Sequence, residues 1–326
     1  MLHHGIIEES TAHEFNSPIF LVNKKNSLNR MVIYLRELNS IIKPTPVQLP
    51  KIDEVIDSVA ISNQKFLSVV DFYSAFFQVL LHPHSRPYTS FKGPDSRSFM
   101  FRRCPFGLCS SPSAMLYVLQ TALAGKLGHT AAIYMDDALL HSRTWKEHIS
   151  TIEVLLKTLE ANNQTANPQK MLMGYQNVTF LGYQLGTNGV KMDPKRIRII
   201  EKLSPPSNRK GLQRLLGLFV YWRRFIKQFS SHTFHMRQLL KEDRDFCWTP
   251  ECDQELQYLK SCLMSEPILA NIDPNKNFIV MCDAASNTGC GYQILQDGHD
   301  GRLHAVSYGG KALTKAQTRW LPLNWS

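Results

Sequence analysis

"IYMDDALLHS", residues 133–142, sets two adjacent aspartates inside a run that is otherwise mostly apolar. Ile133, Tyr134, Met135, Leu139 and Leu140 have the character of a buried strand. Ionised carboxylates withdrawn from water are costly unless a cation compensates them, and two side by side repel one another and push one pKa upward. The pair therefore either sits on an exposed turn or holds a metal. On a flat strand successive side chains point to opposite faces, so Asp136 and Asp137 would not share a site. At the tight turn of a hairpin both reach the same region, and aspartate is at home in turns.

A bare pair of aspartates is most simply an acidic hairpin, but a third acid shifts the balance. Asp71, in "LSVVDFYSAFFQVLLH" (67–82), also terminates an apolar strand and has no basic neighbour in sequence. Three carboxylates on strand ends suit two divalent ions about 3.5–4 Å apart, the arrangement of in-line phosphoryl chemistry. Mg²⁺ favours such hard oxygen ligands and leaves room for water and substrate phosphates. Upstream, "LVNKKNSLNRMVIYLRELN" (21–39) places Lys24 and Arg30 in a polar loop between two strands. Lys as a point charge and Arg as a planar fork both suit a triphosphate, although such a loop taken alone is more often a solvated hairpin tip.

The bulk properties are compatible with this chemistry. The chain has 326 residues, 43% hydrophobic and 20% charged, enough for two or three domains with substantial cores. A formal charge of +10 and a pI near 9.2 suit a polyanionic partner, most simply nucleic acid. The seven cysteines form no CxxC pair, which argues against a zinc site or disulfide framework and for a reducing compartment. No stretch has the length of apolar residues a membrane span requires, and "MLHHGIIEES" is not a signal-peptide pattern. A cytoplasmic location inside the cell is expected, with the nucleus left open, and the opening of the chain suggests a piece of something longer.

Residues 1 to about 185 alternate short β-like runs with helical stretches: "SPIFLVNKK", "RMVIYL", "KFLSVVDF", "FFQVLLHP" and "AAIYMDDALL" are strand candidates. "EHISTIEVLLKTLEAN" has helical spacing at Ile149, Ile152, Leu155, Leu156 and Leu159. "PPSN" (205–208) breaks the chain, and Ser207 or Asn208 is placed to cap the next helix. That helix, "RKGLQRLLGLFVYWRRFIKQFS", puts Leu212, Leu215, Leu216, Phe219, Ile226 and Phe229 mostly on one face, with Arg214, Arg223, Arg224 and Lys227 elsewhere. From about residue 247 the composition shifts, and "FIVMCDAA" (278–285) reads as a new strand carrying an acid.

Taken in order, these segments resemble a reverse transcriptase, specifically the polymerase segment of gypsy-type LTR retrotransposons and retroviruses. "SPIFLVNKK" and "RMVIYLRELN" resemble the fingers hairpin, and "LPKIDEVID" the segment after it. "FLSVVDFYSAFFQV" resembles the first metal motif, "FMFRRCPFGLCSSPSAM" the template-contacting motif and "IYMDD" the second metal motif. "NPQKM" resembles the later lysine motif, "TFLGYQLGTNGVKMDP" the primer grip and "LLGLFVYWRRFIKQFS" the thumb helix. The implied fold is α+β, a right-hand polymerase of fingers and palm (1–187) and thumb with linker (188–246), followed by a partial RNase H-like α/β domain (247–326).

The resemblance also implies roles. Asp71, Asp136 and Asp137 would share Mg²⁺, or Mn²⁺ in its place, with Asp137 the looser ligand. Lys24 and Arg30 would hold the incoming deoxynucleoside triphosphate. Phe76 would close the sugar pocket against a 2′-hydroxyl, although an aromatic after a strand is as often core. Phe106 and Gly107 would pack against nucleotide and template, and Lys170 would protonate the leaving pyrophosphate. The basic residues of the 209–229 helix, Arg223 and Arg224 above all, would contact phosphates of an RNA/DNA template-primer. Other pol polyprotein segments are further expected partners.

Two departures stand out. Tyr34 occupies the place of a usual aspartate, two residues before Arg36, removing an expected acidic partner. At the C-terminus "FIVMCDAASNTGCGYQILQ" and "LHAVSYGGKALTKAQTRW" resemble the start of a retroelement RNase H domain with Asp283 as its first metal acid, but no further acid of the set follows. Residues 247–326 are therefore expected to be unable to cut an RNA–DNA hybrid, and to pack on the thumb or remain partly disordered. Two rivals stay in view. An RNA-dependent RNA polymerase shares the palm but must accept the 2′-hydroxyl, which Phe76 opposes. A decayed or domesticated remnant would bind nucleic acid without catalysis.

Overall fold

In the computed structural model the described residues are 1–11, 14–22, 30–43, 50–60, 64–93, 95–241, 245–285, 289–298, 300–314 and 317. They fall into two compact units, one of residues 1–59 and 66–175, the other of residues 60–65 and 176–326. Among them no helix is long and apolar enough to cross a membrane.

The first unit is built on a four-stranded antiparallel sheet. β4 (Phe66–Asp71) lies between β8 (Asp137–Ser142) and β9 (Leu172–Tyr175), and β7 (Ala131–Tyr134) closes the other edge. One face of the sheet is covered by α3 (Ser111–Leu123) and α4 (Trp145–Ala161). Val70, Ala138 and Leu140 from the strands meet Met115, Leu119, Leu155 and Leu159 from the helices, all nearly inaccessible to water. Thr144 starts α4 by accepting the Glu147 N–H, satisfying one of the donors a helix leaves unpaired at its start.

A second core in this unit joins β1 (Ile7–Glu9), β5 (Phe91–Lys92) and β6 (Ser98–Phe101) to the hairpin of β2 (Ile19–Val22) and β3 (Arg30–Ile33). Ile33, Leu35, Phe91, Phe99, Phe101 and Leu108 fill it. The short helices α1 (Arg36–Ile41) and α2 (Ile52–Ala60) follow the hairpin. "FFQVLLHP" does not form the strand its β-branched and aromatic content suggests. Ser74 turns into the left-handed region (φ 48°) and residues 75–78 wind into a single 3₁₀ turn, leaving only an isolated bridge from Leu80 to Arg103. Ending β4 at Asp71 in this way turns the two phenylalanines off the sheet.

Beneath α4 lies a buried polar clamp. His148 Nε2 meets Ser68 Oγ at 2.7 Å and His148 Nδ1 meets Ser142 Oγ at 3.0 Å, tying helix to β4 and β8, while Gly174 N donates to Ser68 Oγ at 2.9 Å. Burial pushes the His148 imidazole pKa down, and pushes that of the neighbouring buried His141 to about 4. The unfolded chain therefore binds more protons than the native one, so stability is lost as pH falls from about 6.5 towards 4 and levels off below that. For His141 the loss is about 3 kcal/mol at full effect. His141→Leu should flatten this acid limb in denaturant titrations at pH 7, 5.5 and 4.5, and a limb as steep as the wild type's would refute the assignment.

The second unit begins with a three-stranded meander, β10 (Asn177–Phe180), β11 (Tyr183–Gly186) and β12 (Gly189–Met192). Then come α5 (Pro194–Glu201), α6 (Arg209–Tyr221), the short α7 (Phe234–Gln238) and α8 (Pro250–Met264). Asp193, Asn208 and Thr249 cap α5, α6 and α8 through hydrogen bonds from Lys195, Gly211 and Cys252 N–H, so Asn208, not Ser207, is the cap of α6. The helix expected over 209–229 ends at Tyr221, and Arg223–Phe225 is a 3₁₀ turn. Phe219, Trp222, Phe225, Ile226 and Phe229 are all buried. Trp222 and Phe225 lie against Tyr183, whose ring is 5.0 Å from that of Trp222 and 6.0 Å from that of Phe225.

The unit closes with an antiparallel sheet of β13 (Ile279–Ala285), β14 (Gly289–Asp297) and β15 (Leu303–Ala312). It packs on the end of the 3₁₀ segment after α6 through glycines. A Cβ on Gly289 would stand 3.1 Å from Ser230 Cβ, and one on Gly291 3.6 Å from Gln228 Cα. The described part of the sheet thus packs on residues 228–230, in the segment expected as the thumb. Phe278, which precedes β13, is half exposed.

Candidate active site

The hairpin of β7 and β8 explains why two acids can sit in an apolar run. Tyr134 pairs with Asp137, so Met135 and Asp136 form a two-residue turn, with Met135 at positive φ (53°). A non-glycine residue there costs of order 1 kcal/mol. Asp136 projects from the turn into solvent, and Asp137 opens β8 half-buried. Asp71, the last residue of β4, stands directly opposite Asp137 in the register, and Phe72 N donates to Asp136 O at 3.1 Å. Sheet pairing therefore brings three acids, two of them 65 and 66 residues from the third, to one strand end.

The electrostatics follow. Burial pushes the Asp137 carboxyl to about 6, helped by the nearby charges of Asp136 and Asp71 and opposed by Lys170. Lys170 Nζ donates to both oxygens of Asp71, at 2.8 and 3.0 Å. Among the described residues no three acid, histidine or cysteine side chains are gathered closely enough to hold a metal ion by themselves. The donor set nevertheless fits a hard divalent cation: three carboxylates at one edge, with Lys170 as the cation paired to Asp71.

Two residues that sequence reading passed over position this cluster. Asn167 sends Nδ2 to Asp71 Oδ1 (3.4 Å) and its N–H to Asp71 O (2.8 Å), while its Oδ1 accepts from Gln169 N, starting the 3₁₀ turn that carries Lys170. Gln78 donates to Tyr73 O (2.6 Å) and Thr165 O (2.8 Å) and accepts from Thr165 N (2.7 Å), pinning the two loops together. Asn167 lies inside the quoted "NPQKM" and was legible as a turn residue. Gln78 had no local signal.

Phe76, half-buried, sets its ring 5.0 Å from that of Phe106, and Phe77 meets the same ring edge-on at 5.2 Å. Phe76 also packs against the palm core. Gly107 adopts φ +101°, and a Cβ there would approach Ile33 O to 3.0 Å, so only glycine fits without a shift. Asn39 holds the turn, donating to Gly107 O at 2.8 Å and accepting from Cys109 N at 2.9 Å. That clamp is a third feature not foreseen. Tyr34 gives Arg36 a different partner from the missing acid: the guanidinium lies 5.4 Å over the Tyr34 ring. Lys24 lies outside the described residues, and Arg30 begins β3 opposite Val22.

In the second unit Arg223 and Lys227 are exposed, but Arg224 is only 4% exposed among the aromatic residues after α6. The expectation that Arg224 contacts phosphates is thus corrected: bending the chain at Trp222 turns its side chain inward. Asp283 is exposed on β13, and its carboxylate accepts a hydrogen bond from Gln228 Nε2.

Comparison with known proteins gives this arrangement a family. The family described as "Reverse transcriptase (RNA-dependent DNA polymerase)" matches residues 22–185, and "RNase H-like domain found in reverse transcriptase" matches residues 248–325. The chain is 31% identical over 318 residues to the retrovirus-related Pol polyprotein from transposon 412 of Drosophila melanogaster, covering 96% of this chain and 25% of that protein. It is 30% identical over 317 residues to the transposon Tf2-3 polyprotein of Schizosaccharomyces pombe, covering 97% and 23%. The chain thus spans about a quarter of the length of these polyproteins. Its fold matches the foamy viral protease-reverse transcriptase solved with double-stranded DNA, with a TM-score of 0.85 and 23% identity over 99% of this chain and 56% of that one. The same viral protein solved with an RNA/DNA hybrid matches with a TM-score of 0.80, over 99% of this chain and 43% of that one. The α+β right-hand polymerase fold with an RNase H-like domain is therefore the one present, and this chain belongs to the reverse transcriptase (RNA-dependent DNA polymerase) family, in the form carried by retrotransposon Pol polyproteins.

Proposed function

We propose that this chain extends a nucleic-acid primer with deoxynucleotides along an RNA or DNA template. The observation that carries the reading is the strand-end cluster, with Asp71 in register with Asp137, Asp136 on the adjoining turn, and Lys170 2.8 Å from Asp71. Reverse transcriptases are generally divalent-metal dependent, and Asp71 and Asp136 would be the principal ligands of Mg²⁺ here, or of Mn²⁺ in its place, with Asp137 a looser third. Bound there, the ions would polarise the reacting phosphate and stabilise the attacking and leaving oxygens. Lys170 carries its proton at Nζ beside Asp71 and supplies it to the leaving pyrophosphate. Arg30, with Lys24, binds the triphosphate, and Phe76, Phe106 and Gly107 shape the pocket for its sugar and base.

Template and primer are held by phosphate contacts, because an enzyme that slides along its substrate cannot depend on base edges. The structural relatives were solved with double-stranded DNA and with an RNA/DNA hybrid, which supports a duplex ligand for this chain. Arg223, exposed after α6, serves this contact. Arg223→Glu should weaken duplex binding equally for all sequences and lower the slope of log K against log salt by about one. An unchanged slope by fluorescence anisotropy would remove Arg223 from the interface.

The domain division that fits this function is fingers and palm over 1–187, thumb and linker over 188–246, and an RNase H-like segment over 247–326. Extension of a labelled primer on RNA and on DNA templates, with Mg²⁺ and with EDTA, tests the whole reading. Metal-dependent extension is expected. Tight template-primer binding with no extension would identify a nucleic-acid-binding remnant instead.

A further inference from the structure

We propose that the outward shoulder of α4 is a self-association surface, through which two copies of this chain pair with their α4 helices antiparallel about a two-fold axis. Trp145, Ile149, Ile152 and Leu156 recur at intervals of four, three and four along α4, one continuous line on a helix. The palm uses this line only in part: Ile152 packs against its core and Trp145 lies on Phe66, which leaves Ile149 and Leu156 without a place in it. The residues α4 buries are His148, Thr151, Leu155, Thr158 and Leu159, whereas Trp145, Ile149 and Leu156 are 51%, 46% and 42% exposed and Ile152 is half-buried. Single exposed apolar residues need no explanation, but a contiguous stripe at packing spacing marks a contact surface.

The charges beside the stripe say what covers it. On its solvent side run Lys146, Glu153 and Glu160, all exposed, at the positions that flank a helix–helix seam. In an antiparallel pair centred between Ile149 and Ile152, Ile149 of one copy meets Ile152 of the other and Trp145 meets Leu156. Lys146 then faces Glu153 of the second copy, and symmetry makes that pair twice. A parallel pairing sets these flanking positions against the buried His148 and Leu155, and offers Lys146 and Glu153 no opposite charge. Within one copy Glu153 is bonded to Lys157 at 2.7 Å, so the second copy's Lys146 joins an existing ion pair. Trp145 is preset as an anchor, its ring 5.2 Å from Phe66 and against Gly174, where a Cβ would strike it at 2.6 Å.

A helix of 17 residues is about 25 Å long, so the contact belongs to the small, weak class of interfaces, below about 1,200 Å². Micromolar self-association is expected. Sedimentation velocity on the intact chain from about 1 to about 100 µM, spanning that affinity range, is the test. The wild type should shift from monomer to dimer. Ile149→Glu and Leu156→Glu should remain monomeric, with unchanged melting temperature because both side chains are exposed in the single copy. Lys146→Glu should weaken pairing at least about tenfold, and Glu153→Lys in the same chain should restore it. A wild type monomeric throughout, dimers that persist in Ile149→Glu, or a double charge swap that fails to rescue would each overturn the proposal.

Discussion

Asp71→Asn and Asp136→Asn should each reduce primer extension by about three orders of magnitude or more, while duplex binding and melting temperature should stay close to wild type. The expectation follows from the site's charge. Asparagine keeps the shape of aspartate but removes the negative charge a hard divalent cation requires. An ion stabilising both attacking and leaving oxygens contributes several kcal/mol to the transition state, and each 1.36 kcal/mol is tenfold in rate. The folded state does not suffer in proportion. Asp136 is exposed on a turn, and Asn is as acceptable there. Asp71→Asn loses the ion pair with the exposed Lys170, of the weak surface kind, about 0–1 kcal/mol. Single-turnover extension alongside thermal unfolding separates the outcomes. Near-normal extension by either variant ends the assignment of that residue, and loss of activity together with collapse of the fold leaves only a structural role.

The second large effect is on sugar choice. Phe76→Val opens space beside the nucleotide ribose, and ribonucleotide incorporation should rise relative to deoxynucleotide by about 10–200-fold, the range for a shape change in a pocket. Phe76 is also part of the packing, against Phe106 and the palm core, so its truncation should cost about 1–3 kcal/mol. These consequences are independent. If Phe76 is only a core aromatic, melting falls and the ratio of the two incorporation efficiencies does not move. Phe106→Leu provides the contrast, since it loosens the same aromatic contact without removing the residue assigned to the sugar. A selectivity that shifts as much in Phe106→Leu as in Phe76→Val would reassign the gate to the aromatic pair.

Much of this chain can be read from its residues one after another. The apolar run broken by Asp136 and Asp137, the strand ending at Asp71 and the spacing of α4 are local patterns, set by the two-residue and 3.6-residue periods of strand and helix. The candidate acids, Lys170 and the glycine of "PFGL" were legible for that reason. So was Asn208 as a helix cap, because a side chain bonding to its own backbone carries its signal within four residues.

What the sequence did not reveal is set by contacts between distant segments. Phe76 and Phe77 have strand-forming character, but a left-handed Ser74 and the packing against Phe106 wind them into a 3₁₀ turn. Arg224 belongs to a basic run that reads as a solvated face, yet α6 ends at Tyr221, a 3₁₀ turn follows over Arg223–Phe225, and the Arg224 side chain is buried. Gln78 and Asn39 look unremarkable in the chain and act only where they meet Thr165 and Gly107, 87 and 68 positions away. Arg36 finds the Tyr34 ring where an acid was expected, a pairing visible only once both side chains have a geometry. Sequence by itself determined which residues are the candidates for the chemistry and in what order they come. Register across β4 and β8 decided that three of them stand together, because pairing of antiparallel strands, and not proximity in the chain, sets which strand ends coincide.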